Sequence, residues 1–182
     1  TTDKGKDYEH LYIVNLLLKL VQDDNVIDFH LSSNDSQYGA FDDVVIEIQY
    51  AFKKETEIYA IQLKHVNNDG KKISAQHLNA AKGNFSVVHY LKDYYNNLKK
   101  LNCPVTMILL TNSQFTTEKK VQLSTDDNKF EMTATTTNPN YLLNTSRNGL
   151  SYKFKLTSTS DYDDFFDNFQ FYTSQAAVDD IE

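Results

Sequence analysis

The fold is decided by two β-rich segments within residues 41–65, which read FDDVVIEIQYAFKKETEIYAIQLKH. Branched and aromatic residues are dense in residues 41–52 and again in residues 57–66, a composition that is typical of strands. The charged residues 53–55 separate the two segments and favour a hairpin turn. We therefore predict two neighbouring antiparallel strands.

The segments on either side of this hairpin complete the core. Apolar residues recur at helical spacing in residues 8–21 and in residues 74–101, where Ser74 is a candidate N-cap. Residues 26–31 alternate like a strand, and the apolar run 105–111 is typical of a buried central strand. A strand behind a long helix implies a crossover connection. The order helix, three strands, helix, strand predicts an α/β sandwich of the three-layer type with a central mixed sheet.

The C-terminal part of the chain gives weaker signals. Residues 113–148 are rich in Thr, Asn and Ser, and only residues 121–123 and 130–132 suggest short strands. Residues 152–156 alternate like a strand. The aromatic residues of 162–172 favour a last helix. We therefore expect C-terminal strands and one helix after the core.

The composition is that of a single folded domain. The 182 residues are 13% aromatic and contain five Gly and two Pro, which argues against disordered and collagen-like chains. We find no repeat and no internal boundary, and we predict one domain over residues 1–182, with a core at 5–112 and an elaboration at 113–182. The chain begins at Thr1 without an initiating Met, so we expect it to be part of a larger protein.

Membrane and secreted classes are disfavoured. The longest apolar runs fall far short of the roughly 18–20 residues that a membrane-spanning helix needs, and the N-terminal residues lack the pattern of a secretory signal. The single Cys103 has no partner for an internal disulfide, and we expect a buried thiol. We therefore expect an intracellular protein, cytoplasmic or nuclear, with no membrane partner.

Charge is unevenly distributed along the chain. The net charge is −7, and residues 159–182 carry seven acidic residues and no Lys or Arg. Residues 53–100 carry nine Lys against four acidic residues. This basic region is consistent with a surface for a polyanion, but the charge alone favours an ordinary solvated helix face.

Polar residues at the ends of the two hairpin strands carry the chemical signal. Asp42 and Asp43 open the first strand, and Gln62 and Lys64 close the second. Residues two apart share a face of a strand, so Gln62 and Lys64 project together. Burying a Lys beside a neutral amide is costly without an anion. Asp42 or Asp43 on the adjoining strand can supply that anion.

This pattern resembles the PD-(D/E)xK nuclease superfamily, whose restriction-endonuclease-like core also runs helix, three strands, helix, strand. The resemblance covers roughly residues 5–112 and implies that Asp43, Gln62 and Lys64 form the catalytic site. It also implies a Glu from the first helix, which is Glu9 here. Asp42 is the alternative to Asp43, which is preferred because the run Val44-Val45-Ile46 follows it directly.

Two features depart from the family pattern. Gln62 stands where Glu or Asp is commoner, which removes a negative charge and leaves an amide oxygen as a hard ligand. The Pro of the family name is also absent, and Asp42 or Phe41 takes its place. Weaker metal binding is the expected consequence.

The activity implied by the resemblance is metal-dependent hydrolysis of phosphodiester bonds in DNA, with RNA as a further possible substrate. The expected cofactor is Mg²⁺ or Mn²⁺ bound by Asp43, Gln62 and Glu9. The residues expected to contact flanking phosphates are Lys71, Lys72 and Lys82. Weaker candidates for the site are His65 and Gln76. One alternative is a catalytically inactive relative that serves protein interaction or dimerisation. Its partners would be a second copy or other domains of the parent protein. Another alternative is an unrelated α/β binding domain.

Overall fold

The structure is a computed structural model. It describes residues 4–67, 71–101, 103–116, 120–125, 128–137, 139–156 and 162–181. The helices are α1 (Lys4–Gln22), α2 (Ala75–Asn79), α3 (Val87–Asn96) and α4 (Asp163–Asp167). The strands are β1 (Val26–Ser32), β2 (Val44–Tyr50), β3 (Glu57–Lys64), β4 (Thr106–Thr111), β5 (Lys120–Thr125), β6 (Asn128–Thr137), β7 (Leu150–Leu156) and β8 (Phe169–Thr173).

One mixed sheet contains all eight of these strands. Their order is β1-β2-β3-β4-β8-β7-β6-β5. Strand β4 runs parallel to β3 and to β8, and the other neighbouring pairs are antiparallel. The predicted hairpin of β2 and β3 and the predicted crossover into β4 are therefore confirmed.

Alternating side chains of the central strands build two cores. Ile61 and Leu63 of β3 pack with α1 on one face of the sheet. Ala60 of β3 and Met107 of β4 pack with α2, α3 and α4 on the other face. Helices on both faces of a mixed sheet make the predicted three-layer α/β sandwich, which is confirmed.

The first helix covers its face of the sheet through a narrow stripe. Tyr8, Tyr12, Leu16 and Leu20 recur every four residues and are at most 2% exposed. The Tyr12 hydroxyl donates to the carbonyl of Leu143 at 3.2 Å, which attaches α1 to the segment before β7. The sequence prediction of a helix over residues 8–21 is confirmed, and the helix begins one turn earlier.

The prediction of one long helix over residues 74–101 is wrong. The chain forms α2 and α3 with a connection between them in which Gly83 has a φ of 129°. The Ser86 hydroxyl accepts the N–H of His89 and caps α3. Apolar residues continue at helical spacing across the break because both helices pack on the same core. The predicted N-cap Ser74 is confirmed for α2.

The predicted last helix within residues 162–172 is confirmed at its start, and the prediction is wrong from Phe169 onward. Helix α4 has five residues, and the chain then enters β8 between β4 and β7 in the middle of the sheet. Phe169 and Phe171 are spaced by two and face the same core, as strand periodicity requires. Strands β4 and β7 lie on either side of this segment, and their backbone groups form hydrogen bonds with β8 that a helix could not form.

The remaining expectations have mixed outcomes. Strand β7 includes the predicted residues 152–156, and β5 and β6 extend the two short strands that the sequence suggested. Cys103 is exposed, which contradicts the predicted burial, because it lies in the turn before β4 rather than in the strand. None of the described helices is both long enough and apolar enough to cross a bilayer.

Candidate functional site

Asp43 bridges from the start of β2 to the end of β3. Val44 pairs with Ile61 in the antiparallel ladder, which places Asp43 opposite Gln62. The Asp43 carboxylate oxygen Oδ2 accepts the backbone N–H of Leu63 at 2.8 Å and also the side-chain amide of Gln62. Two donors from one strand therefore orient this carboxylate.

Lys64 adds a positive charge beside the carboxylate. Burial raises the pKa of the Asp43 carboxyl above its ordinary value, and the neighbouring charge of Asp42 acts in the same direction. The Leu63 N–H, the charge of Lys64 and the Gln62 amide lower the same pKa. The structure thus brings Asp43, Gln62 and Lys64 together, as the sequence predicted.

This cluster lies on the face of the sheet that α3 covers. Gln62 is 7% exposed, and strand alternation puts it on the same side as Ala60, whose core includes Tyr90 of α3. Burial raises the pKa of the Tyr90 hydroxyl, and the charge of Asp43 raises it further. Tyr90 is therefore the electrostatic neighbour of Asp43 from the helical layer.

The cluster also lies where the parallel strands β3 and β4 end. The Asn112 side chain accepts the N–H of Val66 at 2.8 Å and donates to its carbonyl at 3.0 Å, which joins the segments after the two strands. The Ser113 hydroxyl donates to the carbonyl of Lys71 at 3.1 Å. Exposed Lys71 and Lys72 therefore share this end of the sheet with Lys64.

No protein-family model, curated protein or solved structure matches this chain.

Glu9 lies on α1, in the layer opposite the one that contains Tyr90. It is half-buried there. Its neighbour Tyr8 packs against the ring of His65, with ring centroids 5.1 Å apart. The first helix thus approaches the end of β3 from the opposite layer, with Tyr8 as its buried contact there.

The oxygen atoms of the cluster suit a hard divalent cation, although only one of the donor groups is charged. In the described parts of the chain, no group of three or more His, Cys, Asp and Glu side chains could hold a metal ion. The cluster instead offers one carboxylate from Asp43, the amide of Gln62 and the backbone carbonyl of Leu63, all of which carry the oxygen ligands that Mg²⁺ prefers. Water supplies the remaining ligands in most such Mg²⁺ sites.

Gln62 suits this role in two orientations. Its amide nitrogen donates to Asp43 and satisfies part of the hydrogen-bonding capacity of the carboxylate oxygens. A half-turn of the side-chain amide exchanges nitrogen for oxygen and presents a second oxygen to the same point. A cation between the two oxygens then replaces the amide proton as the positive partner of Asp43.

The remaining candidates lie around the cluster. His65 follows Lys64, and burial lowers the pKa of its ring, as does the charge of Lys4. Gln76 and Lys82 are exposed, on α2 and on the connection before α3 respectively. Asp42 ends a 3-10 turn, and its backbone carbonyl accepts the N–H of Asn34 at 2.7 Å.

Sequence reasoning missed two residues that shape the site. Tyr90 is one of several aromatic residues within residues 74–101, and nothing in its spacing marks it as the neighbour of Asp43. Asn112 could have been predicted, because a polar residue directly after the apolar run of β4 marks the carboxyl end of a central strand. Ligand sites in α/β sheets gather at such ends.

Proposed function

We propose that this chain is a metal-dependent nuclease that hydrolyses phosphodiester bonds of DNA. One observation carries the proposal: the Asp43 carboxylate, the Gln62 amide and the Lys64 side chain meet where β3 ends. An oxygen ligand set beside an ammonium group is suited to phosphoryl chemistry, since the reacting group is an anion that gains charge on attack.

Each residue of the cluster has a distinct role in the proposal. Asp43, the Gln62 oxygen and the Leu63 carbonyl would hold Mg²⁺ or Mn²⁺, which when bound polarises the phosphate and lowers the pKa of water. Lys64 neutralises the negative charge that develops on the phosphate. The Asp43 carboxylate accepts the Leu63 N–H and the Gln62 amide of β3, so it sets the position of the ligand group.

Lysines around the cluster provide phosphate contacts. Lys71 and Lys72 are exposed on the segment that Ser113 attaches to the end of β4, and Lys82 precedes Gly83 in the connection to α3. Contacts of this kind raise affinity for the nucleic-acid backbone without reading its sequence.

The proposal is tested by cleavage of supercoiled plasmid DNA with Mg²⁺ or Mn²⁺ and with EDTA. We expect cleavage that requires the ion and that falls by about 100-fold or more in Lys64→Ala and Asp43→Asn, because each removes charge stabilisation at the reacting phosphate. The matched control is Lys54→Ala, an exposed lysine in the hairpin at the opposite end of β3. It should cleave at the wild-type rate.

Cleavage that survives both Lys64→Ala and Asp43→Asn would assign the activity elsewhere and overturn the proposal. Parallel reactions on duplex and single-stranded RNA decide whether the substrate class extends beyond DNA.

A second candidate function is a nuclease-like fold that has become an interaction domain. It is favoured by the single carboxylate of the cluster and by Gln62 in place of an acidic ligand. This candidate predicts a folded protein that cleaves neither DNA nor RNA with either ion.

A further inference from the structure

We infer that Asp93 of α3 is a positioning residue for Asp43, and this inference rests on the proposed function. Asp93 does not touch the reacting atoms in this arrangement. It acts through the backbone segment that leads from a 3-10 turn into Asp43.

That segment contains a backbone conformation that favours glycine. The 3-10 turn Ser36–Phe41 is interrupted at Gly39, which has a φ of 57° and a ψ of −125°. These angles are those of the first central residue of a type II′ turn. A Cβ atom on Gly39 would collide with the carboxylate of Asp93. The carboxylate therefore occupies the space that any other residue at position 39 would need.

Asp93 uses both carboxylate oxygens to hold its place. Oδ2 accepts the backbone N–H of Ala40 at 2.8 Å, and Oδ1 accepts the side-chain amide of Asn97 at 2.8 Å. One turn earlier on α3, the ring of Tyr90 packs against Phe41 with centroids 5.1 Å apart. Helix α3 thus holds residues 39–41 by a polar and an apolar contact.

Two residues, Phe41 and Asp42, separate this attachment at Ala40 from the carboxylate of Asp43. Ala40 is bound to α3, and Asp43 is bound to Leu63 of β3. The carbonyl of Asp42 is bound to Asn34. A segment of this length between three attachments has little freedom, so the position of Asp93 determines where the Asp43 carboxylate meets β3.

Helix stability does not explain Asp93. It lies in the last turn of α3, which ends at Asn96. A negative charge near a helix C-terminus is unfavourable, because the exposed carbonyl groups there carry partial negative charge. The Ala40 N–H is the partner that gives a carboxylate at this position a structural use.

The test compares Asp93→Ala and Asp93→Asn with the control Asp164→Ala. Asp164 is an exposed carboxylate on α4, in the same helical layer, and forms an ion pair with Lys99 at 3.3 Å. The first readout is the amide resonance of Leu63, whose N–H is bound to Asp43. The second is kcat and KM for plasmid cleavage.

We expect Asp93→Ala to displace the Leu63 amide resonance and to lower kcat by about tenfold to 100-fold, with KM for DNA unchanged, because a small displacement of a catalytic group has costs of this order. Asp93→Asn keeps an acceptor oxygen and should restore both readouts. Asp164→Ala should change neither.

A Leu63 resonance and a kcat at wild-type values in a folded Asp93→Ala protein would overturn the inference, even if the variant melts at a lower temperature. If Asp93→Ala does not fold, Asp93→Glu takes its place. It keeps the charge and lengthens the side chain, so an unmoved Leu63 amide overturns the inference there too.

The two proposals fail separately. If the wild-type protein cleaves no nucleic acid while Asp93→Ala still displaces the Leu63 amide and Asp164→Ala does not, the positioning role of Asp93 stands and the nuclease proposal fails.

Discussion

Asp43 meets opposing demands, because a ligand for a cation must be ionised and a buried carboxyl resists ionisation. Burial raises its pKa, and the donors Leu63 and Gln62 together with Lys64 offset only part of that effect. Since the folded-state pKa lies above the unfolded one, the folded protein binds this proton more tightly. Its stability therefore falls as the pH rises through that pKa.

We expect Asp43→Asn to be more stable than the wild-type protein in metal-free buffer at pH 7. The gain should be less than about 1 kcal/mol, because Asp43 is only partly buried and solvent screens its charge. The gain should shrink toward pH 3, where the wild-type carboxyl is protonated as well. Urea unfolding of both proteins across this pH range measures the difference.

Glu55→Gln is the control for this stability measurement, since Glu55 is exposed in the hairpin. A variant Asp43→Asn that is less stable than the wild-type protein at pH 7, or a difference that does not depend on pH, would contradict the assignment of burial as the main influence on Asp43.

The pairing of Gln62 with Asp43 was within reach of the sequence, and the place of Glu9 was not. Two-residue periodicity puts Gln62 and Lys64 on one face, and the hairpin puts Asp43 across from them. The stripe of α1 shows that Tyr8 faces inward and that Glu9 lies beside it. It does not show which face of the sheet the helix covers, and α1 covers the face opposite Tyr90.

Strand β8 illustrates how neighbouring strands, rather than local sequence, decide whether a segment forms a helix or a strand. Aromatic residues at 165, 166, 169 and 171 satisfy helical spacing and, at the last two positions, strand spacing as well. The five residues of β8 are too few for periodicity to decide. The open side of β4, which needs a hydrogen-bonded neighbour, decides in favour of a strand.

The central place of β8 predicts a large stability cost for a truncation there. Phe171 is fully buried, and its ring lies 5.8 Å from that of Phe115. We expect Phe171→Ala to lower the free energy of unfolding by about 3–5 kcal/mol, since it leaves a cavity under the helical layer. Thermal or urea unfolding measures the loss.

Phe52→Ala is the matched control, because Phe52 is 67% exposed at the hairpin. It should change the free energy of unfolding by about 0.5 kcal/mol or less. Similar losses for the two variants would show that β8 is not a central strand.

The helical layer shows the same limit of local patterns. Gly83 lies within the predicted helix of residues 74–101, and the apolar stripe continues on both sides of it because α2 and α3 cover one core. A bent long helix and two short helices give the same stripe. The capping bond from the His89 N–H to Ser86 and the φ of 129° at Gly83 show that the chain forms two short helices.

The whole molecule gathers its proposed chemistry at one end of the sheet. Parallel strands β3 and β4 end there, Asn112 joins the segments that follow them, and Lys71 lies on an attached segment. The hairpin with Lys53 and Lys54 lies at the other end of β3. This arrangement separates the proposed cation ligands from Lys53 and Lys54, which serve as controls in the experiments.

Paramagnetic broadening by Mn²⁺ tests the cation site most directly, because it reports on every amide of the folded protein without requiring turnover. We predict that titrated Mn²⁺ first broadens the amide resonances of Asp43 and Leu63, leaves those of residues 53–56 sharp, and loses this selectivity in Asp43→Asn. Uniform broadening, or broadening at Asp43 and Leu63 that persists in Asp43→Asn, would contradict a divalent cation held by the Asp43 carboxylate.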